Sequence, residues 1–143
     1  MLNKDVIYSK ISIIKNCLKT IEQVTKLDPQ NLDDIFIQDV FVLNIQRAVQ
    51  ACIDASNSII AEKGLKLPIT YKESFQILQK NRIIEKDLAE KMSRMVGFRN
   101  IAVHDYQQIN VEILKSILTR HLKDFEDYYS TIYKYVKADK RET

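Results

Sequence analysis

The stretch FRNIAVHDY, residues 98–106, gathers an arginine, an asparagine, one of the chain's two histidines and a tyrosine into a short run. An imidazole takes or gives a proton near pH 7, and a guanidinium stays charged and grips two phosphate oxygens at once. Those two groups suffice to cleave RNA without a metal. The imidazole activates the ribose 2′-hydroxyl or protonates the leaving 5′-oxygen, and the guanidinium stabilises charge on the pentacoordinate phosphorus. The competing reading is a histidine that caps a helix end or sits in solvent, with an Arg-His spacing that arises by chance in a helical chain.

Helical geometry limits what the segment can aim together. If it stays helical, Arg99 and Tyr106 fall within roughly 20° of each other around the axis, and Asn100 and His104 within roughly 40°. Arg99 and His104 lie roughly 140° apart. One straight helix therefore points both at a small target only through long side chains or a break near the histidine. Gly97 before the segment and HDYQQIN after it offer such breaks.

Stepping outward, the 143 residues suit a single domain, 1–143, large enough to bury a core without disulfide or metal staples. The composition, 45% hydrophobic and 29% charged with two Gly and two Pro, is that of a helical globular chain. A net charge of +3 permits a polyanionic partner but lacks the dense basic stripe of a dedicated DNA binder. Lys and Asp interrupt the apolar residues of the N-terminus, so no signal peptide is expected, and no run approaches the roughly 18 apolar residues of a membrane span. Cys17 and Cys52 share no metal-type spacing and read as buried free thiols in a reducing cytoplasm.

Apolar periodicity sets the frame. Asn3 caps a first helix that runs to about Leu27, with Ile7, Ile11, Ile14, Leu18 and Ile21 on one face and Asp28-Pro29 as its stop. A second begins between Asn31 and Asp34 and stops at Gly64. It carries two apolar stripes, one through Phe41, Ile45, Cys52 and Ile59 and another through Val42, Val49 and Ile60, so it must be covered on more than one side. A bundle interior would do that, as would a bundle face plus a subunit interface. Thr70 and Glu73 make a capping box for a short helix, and Leu88, Met92 and Val96 mark another leading to Gly97. The last helix spans about Asn110 to Lys137. No segment alternates with period two, so the expected class is all-α, an antiparallel bundle of four to five helices.

Arg99, the four residues after it, His104 and Tyr106 reproduce the R-X4-H-X-Y pattern, and the chain resembles the HEPN-domain family, in particular the HepT toxins of HEPN–MNT toxin–antitoxin pairs. The likeness extends upstream through LPITYKESFQILQKNRIIEKDLAEKMSRMVGFRN and NIQRAVQACIDASNSIIAEKG, covering about residues 40–110. It implies a two-fold homodimer with both motifs facing a shared, positively charged cleft, and metal-independent endoribonuclease activity that arrests growth. Carried over, His104 is the general acid/base, Arg99 the phosphate clamp and Asn100 a polar orienter; no metal or cofactor is implied. Tyr106 has two readings, an RNA contact in the cleft or the acceptor of AMP from a partner MNT nucleotidyltransferase antitoxin. Asp54 either lines the cleft or is a solvent-facing acid. His121 matches no motif and reads as structural or solvated. Tyr128, Tyr129, Tyr133 and Tyr135 read as packing residues before they read as a base-stacking platform, and the tail KYVKADKRET as a solvated end.

Three function classes follow. The first is a cytoplasmic ribonuclease toxin with an antitoxin partner and an RNA substrate; the second is a non-catalytic HEPN nucleotide- or RNA-binding partner of a nucleotidyltransferase; the third is a helical scaffold whose motif is accidental. Retention of both Arg99 and His104 favours the enzyme over the binding module.

Overall fold

The computed structural model describes residues 2–139, and among them all regular structure is helical. The helices are α1 (Lys4–Thr25), α2 (Ile35–Glu62), α3 (Tyr71–Lys80), α4 (Lys86–His104), α5 (Val111–Ser116) and α6 (Leu122–Ala138). A π-helical turn, Ile117–His121, joins α5 and α6 into one long kinked helix, so the bundle counts five rods. No helix among the described residues is long and apolar enough to cross a membrane.

The caps lie where short-range chemistry puts them. Asn3 accepts from the N–H of Val6, Asp34 from those of Phe36 and Ile37, and Thr70 from that of Glu73. The Glu73 carboxylate reaches back past its own cap to the N–H of Ile69, 2.9 Å away. The three cap bonds satisfy N–H groups that the first turn leaves orphaned, and the Glu73 bond ties down the residue before the cap. Gly64 takes φ +66°, the left-handed geometry that closes α2, and Leu65 N–H bonds the Ile60 carbonyl behind it. α1 ends two residues before the expected stop. Lys26 and Leu27 both adopt positive φ, and the Thr25 hydroxyl donates to Ile21 O while accepting the N–H of Leu27, so the helix is closed before Asp28-Pro29 is reached.

α2 is the axis of the bundle. α1 packs lengthwise against it, and α3, α4, α5 and α6 all touch it as well. Its two apolar stripes are therefore covered within one chain, with Phe41, Ile45, Val49, Ile53, Ile59 and Ile60 all fully buried. Cys17 and Cys52 are buried and free, and burial pushes both thiols up.

Tyr128 ties the far side of the bundle to this axis. Its ring meets Phe75 of α3 edge-on at 5.8 Å, and its hydroxyl donates to the Cys52 carbonyl at 2.8 Å beside the Ser56 hydroxyl at 2.5 Å. The neighbouring tyrosines pack too: Tyr133 against Tyr8, Tyr129 under Lys15, Tyr135 under Lys63. The tail beyond Asp139 lies outside the described residues. Tyr128→Phe should lower the unfolding free energy by about 1–2 kcal/mol without loss of helicity, since it strands the buried Ser56 hydroxyl. Urea denaturation followed by circular dichroism checks this, and an unchanged midpoint would mean that the hydroxyl contributes nothing net.

Candidate active site

The motif helix does not break at Gly97. α4 runs unbroken from Lys86 to His104, and a Cβ at position 97 would meet only the Lys72 ammonium, at the ordinary contact distance of 3.9 Å. Met92, Met95, Phe98 and Ala102 face the core. Their burial fixes the rotation of α4 and delivers Arg99 sideways towards α2 and α3.

Three helices receive the guanidinium. It lies over the ring of Tyr71, 4.9 Å from the centroid; Nη2 donates to Gln50 Oε1 at 3.1 Å and Nη1 to Asn100 Oδ1 at 3.2 Å. Arg99 Nε is buried and has no hydrogen-bond partner among the described residues. The Gln50 amide donates in turn to Asp54 Oδ1 at 2.9 Å, and Lys10 of α1 stands 3.5 Å from the other oxygen of Asp54. Asp54 is thus brought to the site through Gln50 and not in contact with Arg99.

That intermediary has an electrostatic consequence. A guanidinium paired directly with a carboxylate at 4 Å gains about 4 kcal/mol at an effective dielectric constant near 20, an attraction that an incoming phosphate must replace. Gln50 and Asn100 are neutral acceptors, so they orient Arg99 while leaving its charge uncompensated. The asparagine was legible in the motif. Gln50 and Tyr71 were not assigned roles from sequence, although Gln50 stands one helical turn from Asp54 and Tyr71 heads the short helix within the resembling region.

Asp105 ends α4 at φ −152°, its N–H still bonded to Ile101 O, and Tyr106 opens a short 3-10 turn, Tyr106–Gln108. The expected alignment of Tyr106 with Arg99 on one helical face therefore does not hold. The helix stops before Tyr106, and its hydroxyl donates instead to the Asp39 carboxylate at the start of α2, over a groove lined by Val42, Leu43 and Gln46. Partial burial, then the Asp39 hydrogen bond and charge, push the phenol up to about 12. His104, the last residue of α4, is exposed, and its side chain makes no hydrogen bond with any described residue. On the unbroken helix it sits roughly 7.5 Å along and roughly 140° around from Arg99, with Asn100 one turn below it. His121, away from this cluster, pairs with Asp124. Among the described residues no three His, Cys, Asp or Glu side chains converge to hold a metal ion.

The sequence model of the ribonuclease HepT-like family matches residues 14–132. The chain belongs to this HepT-like family. It is 41% identical over 128 residues to the mRNA nuclease HepT of Shewanella oneidensis, covering 90% of this chain and 96% of that one. A putative RNase of Archaeoglobus fulgidus is 24% identical over 119 residues, 78% of this chain and 89% of its own. Among solved structures, the tri-AMPylated Shewanella oneidensis HEPN toxin in complex with MNT antitoxin superposes with a TM-score of 0.86 at 40% identity, covering 91% and 98% of the two chains. The Bacillus subtilis cytosolic protein YutE shares the fold alone, with a TM-score of 0.85 at 13% identity and coverage of 99% and 96%.

For this HepT-like chain the Asp39 contact makes a titration prediction. Asp39→Asn removes an anion that disfavours the phenolate, so Tyr106 should titrate below about 12 and above the ordinary 10.0, because the burial contribution stays. Carbon-13 NMR of labelled tyrosines, assigned with Tyr106→Phe, measures it; a value still at about 12 would show that burial alone sets the shift.

Proposed function

We propose that this chain is a metal-independent endoribonuclease toxin, acting in the cytoplasm as a two-fold homodimer and neutralised by an MNT-type nucleotidyltransferase antitoxin. The observation that carries the reading is Arg99, held between Tyr71, Gln50 and Asn100 with its charge unneutralised, on the same helix as a solvent-facing His104. Membership of a ribonuclease family and the mRNA nuclease relative support it.

The chemistry is in-line transfer within the RNA. The ribose 2′-oxygen bonds to the adjacent phosphorus, the P–O5′ bond breaks, and the products are a 2′,3′-cyclic phosphate and a 5′-hydroxyl. One proton leaves the 2′-hydroxyl and one arrives on the 5′-oxygen; His104 carries this exchange as general acid/base, while Arg99 holds the non-bridging oxygens. Asn100 orients the scissile group, and Asp54 fixes the rim through Gln50. Ile101 and Val103, exposed on α4 beside His104, supply apolar surface to a second copy. Such a pairing sets two motifs across one cleft, which answers the divergence of Arg99 and His104 around a single helix.

Tyr106 serves as the acceptor of AMP. The Shewanella oneidensis HEPN toxin is tri-AMPylated in its complex with MNT antitoxin, and Tyr106 of this chain is exposed at a helix end. The phenol oxygen attacks the α-phosphorus of ATP, pyrophosphate leaves, and Asp39 stands within hydrogen-bond reach to take the phenolic proton. The bound nucleotide then adds bulk and negative charge at the cleft and opposes RNA.

Purified protein with labelled RNA and EDTA tests the nuclease. Wild type should cut and leave 2′,3′-cyclic ends, and His104→Ala should be inactive while still folded. Arg99→Lys should lose most activity, because an ammonium lacks the planar fork. Equal cutting by wild type and His104→Ala would overturn the mechanism, and inactivity of both would favour the non-catalytic binding module. Gln50→Ala should lower the rate by roughly 10- to 100-fold with little change in thermal stability, the size expected when a clamp is mis-aimed by about 1 Å. Mass spectrometry after co-expression with the antitoxin should find AMP on Tyr106, and an unmodified Tyr106 would sink that assignment.

A further inference from the structure

Beyond Phe98, on the flank of α4 away from Arg99, a second polar cluster lies where the last helix leaves α geometry. The π-helical turn Ile117–His121 is a device that helices carry mostly where a side chain must be re-aimed, frequently at functional sites. Its last residue turns back on the helix, with His121 Nδ1 standing 3.0 Å from Oδ2 of Asp124. Asp124 is 1% exposed, and its Oδ1 has no hydrogen-bond partner among the described residues.

That stranded oxygen is unusual. A buried carboxylate oxygen without a donor loses its hydration with nothing in return, and folds normally satisfy such groups. Here it borders a cavity of about 210 Å³ whose apolar walls are Met95, Phe98, Ile113 and Ile117. Two cations line the same cavity. Lys91 is already paired with Asp87 at 3.0 Å, whereas Arg94 is exposed and makes no ion pair with any described residue.

The cavity therefore asks for three things at once: an N–H donor for Asp124, a flat apolar body between Phe98 and the isoleucines, and an anionic group for Arg94. A nucleotide whose base carries an exocyclic amino group supplies all three, whereas the Watson–Crick-edge N–H of uracil lies between two carbonyl oxygens that the Asp124 carboxylate repels. A cavity of roughly 150 Å³ lined by apolar side chains admits benzene, so the larger space here has room for a nucleobase. We propose that the Asp124–His121 cavity is a nucleobase subsite, taking a base that offers an exocyclic amino group (guanine, adenine or cytosine) with its phosphate on Arg94.

The ligand is either a single unstacked nucleotide of an RNA chain or a free nucleotide, and the chemistry of the subsite is the same for both. Unstacked bases held on aromatic side chains and read at their edges are the usual way proteins recognise single-stranded RNA. The subsite shares α4 with the motif, since Phe98 and Arg99 are consecutive residues whose side chains leave the helix about 100° apart. The inference rests on the nuclease reading for the RNA source alone and not for the cavity.

The test uses full-length His104→Ala protein, whose inability to cut keeps RNA intact, and follows the methyl signals of Met95, Ile113 and Ile117 by NMR. GMP, AMP, CMP and UMP are titrated separately, then short oligonucleotides that differ in one base. Amino-bearing bases should give saturable shifts with affinities about tenfold or more above uracil, the discrimination expected of one hydrogen bond to a charged acceptor. Ile113→Trp, which fills the cavity without touching the buried pair, should abolish the shifts, and Asp124→Asn should lose the preference over uracil. Shifts with mononucleotides assign a free nucleotide; shifts with oligonucleotides only assign the RNA chain. No shift with any probe, equal shifts with UMP, or shifts that survive Ile113→Trp would overturn the subsite. Wild-type cleavage of the same oligonucleotides is read in parallel. Its absence with the methyl shifts intact would defeat the nuclease reading alone, and the reverse would defeat the subsite alone.

Discussion

α2 must lose water on nearly every side, because two apolar stripes share its 28 residues and leave no wide polar face. At about 25 cal/mol per Å² of apolar surface, that burial is the largest single stabilising contribution available to the chain. Every other helix packs on α2 to supply it. Some of the polar residues that α2 carries are half-buried at its packed edges, where side chains of neighbouring helices meet them. Gln50 and Asp54 occupy such positions, and so the geometry around Arg99 is inherited from the burial of α2.

The treatment of Arg99 is a balance between desolvation and use. Burying a guanidinium is expensive unless its donors are met, and an ion pair meets them most strongly. The bundle uses weaker partners: a tyrosine face, a glutamine carbonyl and an asparagine carbonyl, with Nε left unmet. The carboxylate of this network, Asp54, is held one amide further off and is itself shared with Lys10. Attraction falls roughly as the inverse of distance, from about 4 kcal/mol at 4 Å to about 2 kcal/mol at 8 Å at the same dielectric constant. The charge is held in place yet still available to an anion.

The end of α4 divides the motif into two parts with different surroundings. Arg99 and Asn100 lie within the helix and are packed against its neighbours; His104 is at its last residue and in solvent; Tyr106 lies past the break and reaches α2 through Asp39. A helix continued by two more residues would have put Tyr106 on the face of Arg99, roughly 10.5 Å along the axis, in place of the turn from which it reaches Asp39. The backbone turn at Asp105 thus decides which side chains can act together.

By itself the sequence determined the all-α class, the capping residues Asn3, Thr70 and Gly64, a start for the second helix between Asn31 and Asp34, the rod boundaries to within a few residues, and the family through the R-X4-H-X-Y pattern and its upstream context. Those features are legible because they are local: a cap bond spans two or three residues and an apolar stripe repeats every three or four. Tertiary structure alone decided that Gly97 continues its helix, since neighbouring core contacts outweigh a local propensity of about 1 kcal/mol. It likewise decided that Gln50, 49 residues away, receives Arg99 and that Asp39, 67 residues away, receives Tyr106. His121 is the same kind of case. Its pairing with Asp124 spans only three residues, yet the burial of that carboxylate and the cavity beside it arise where α4 packs against the π-helical turn, an arrangement that no local spacing encodes.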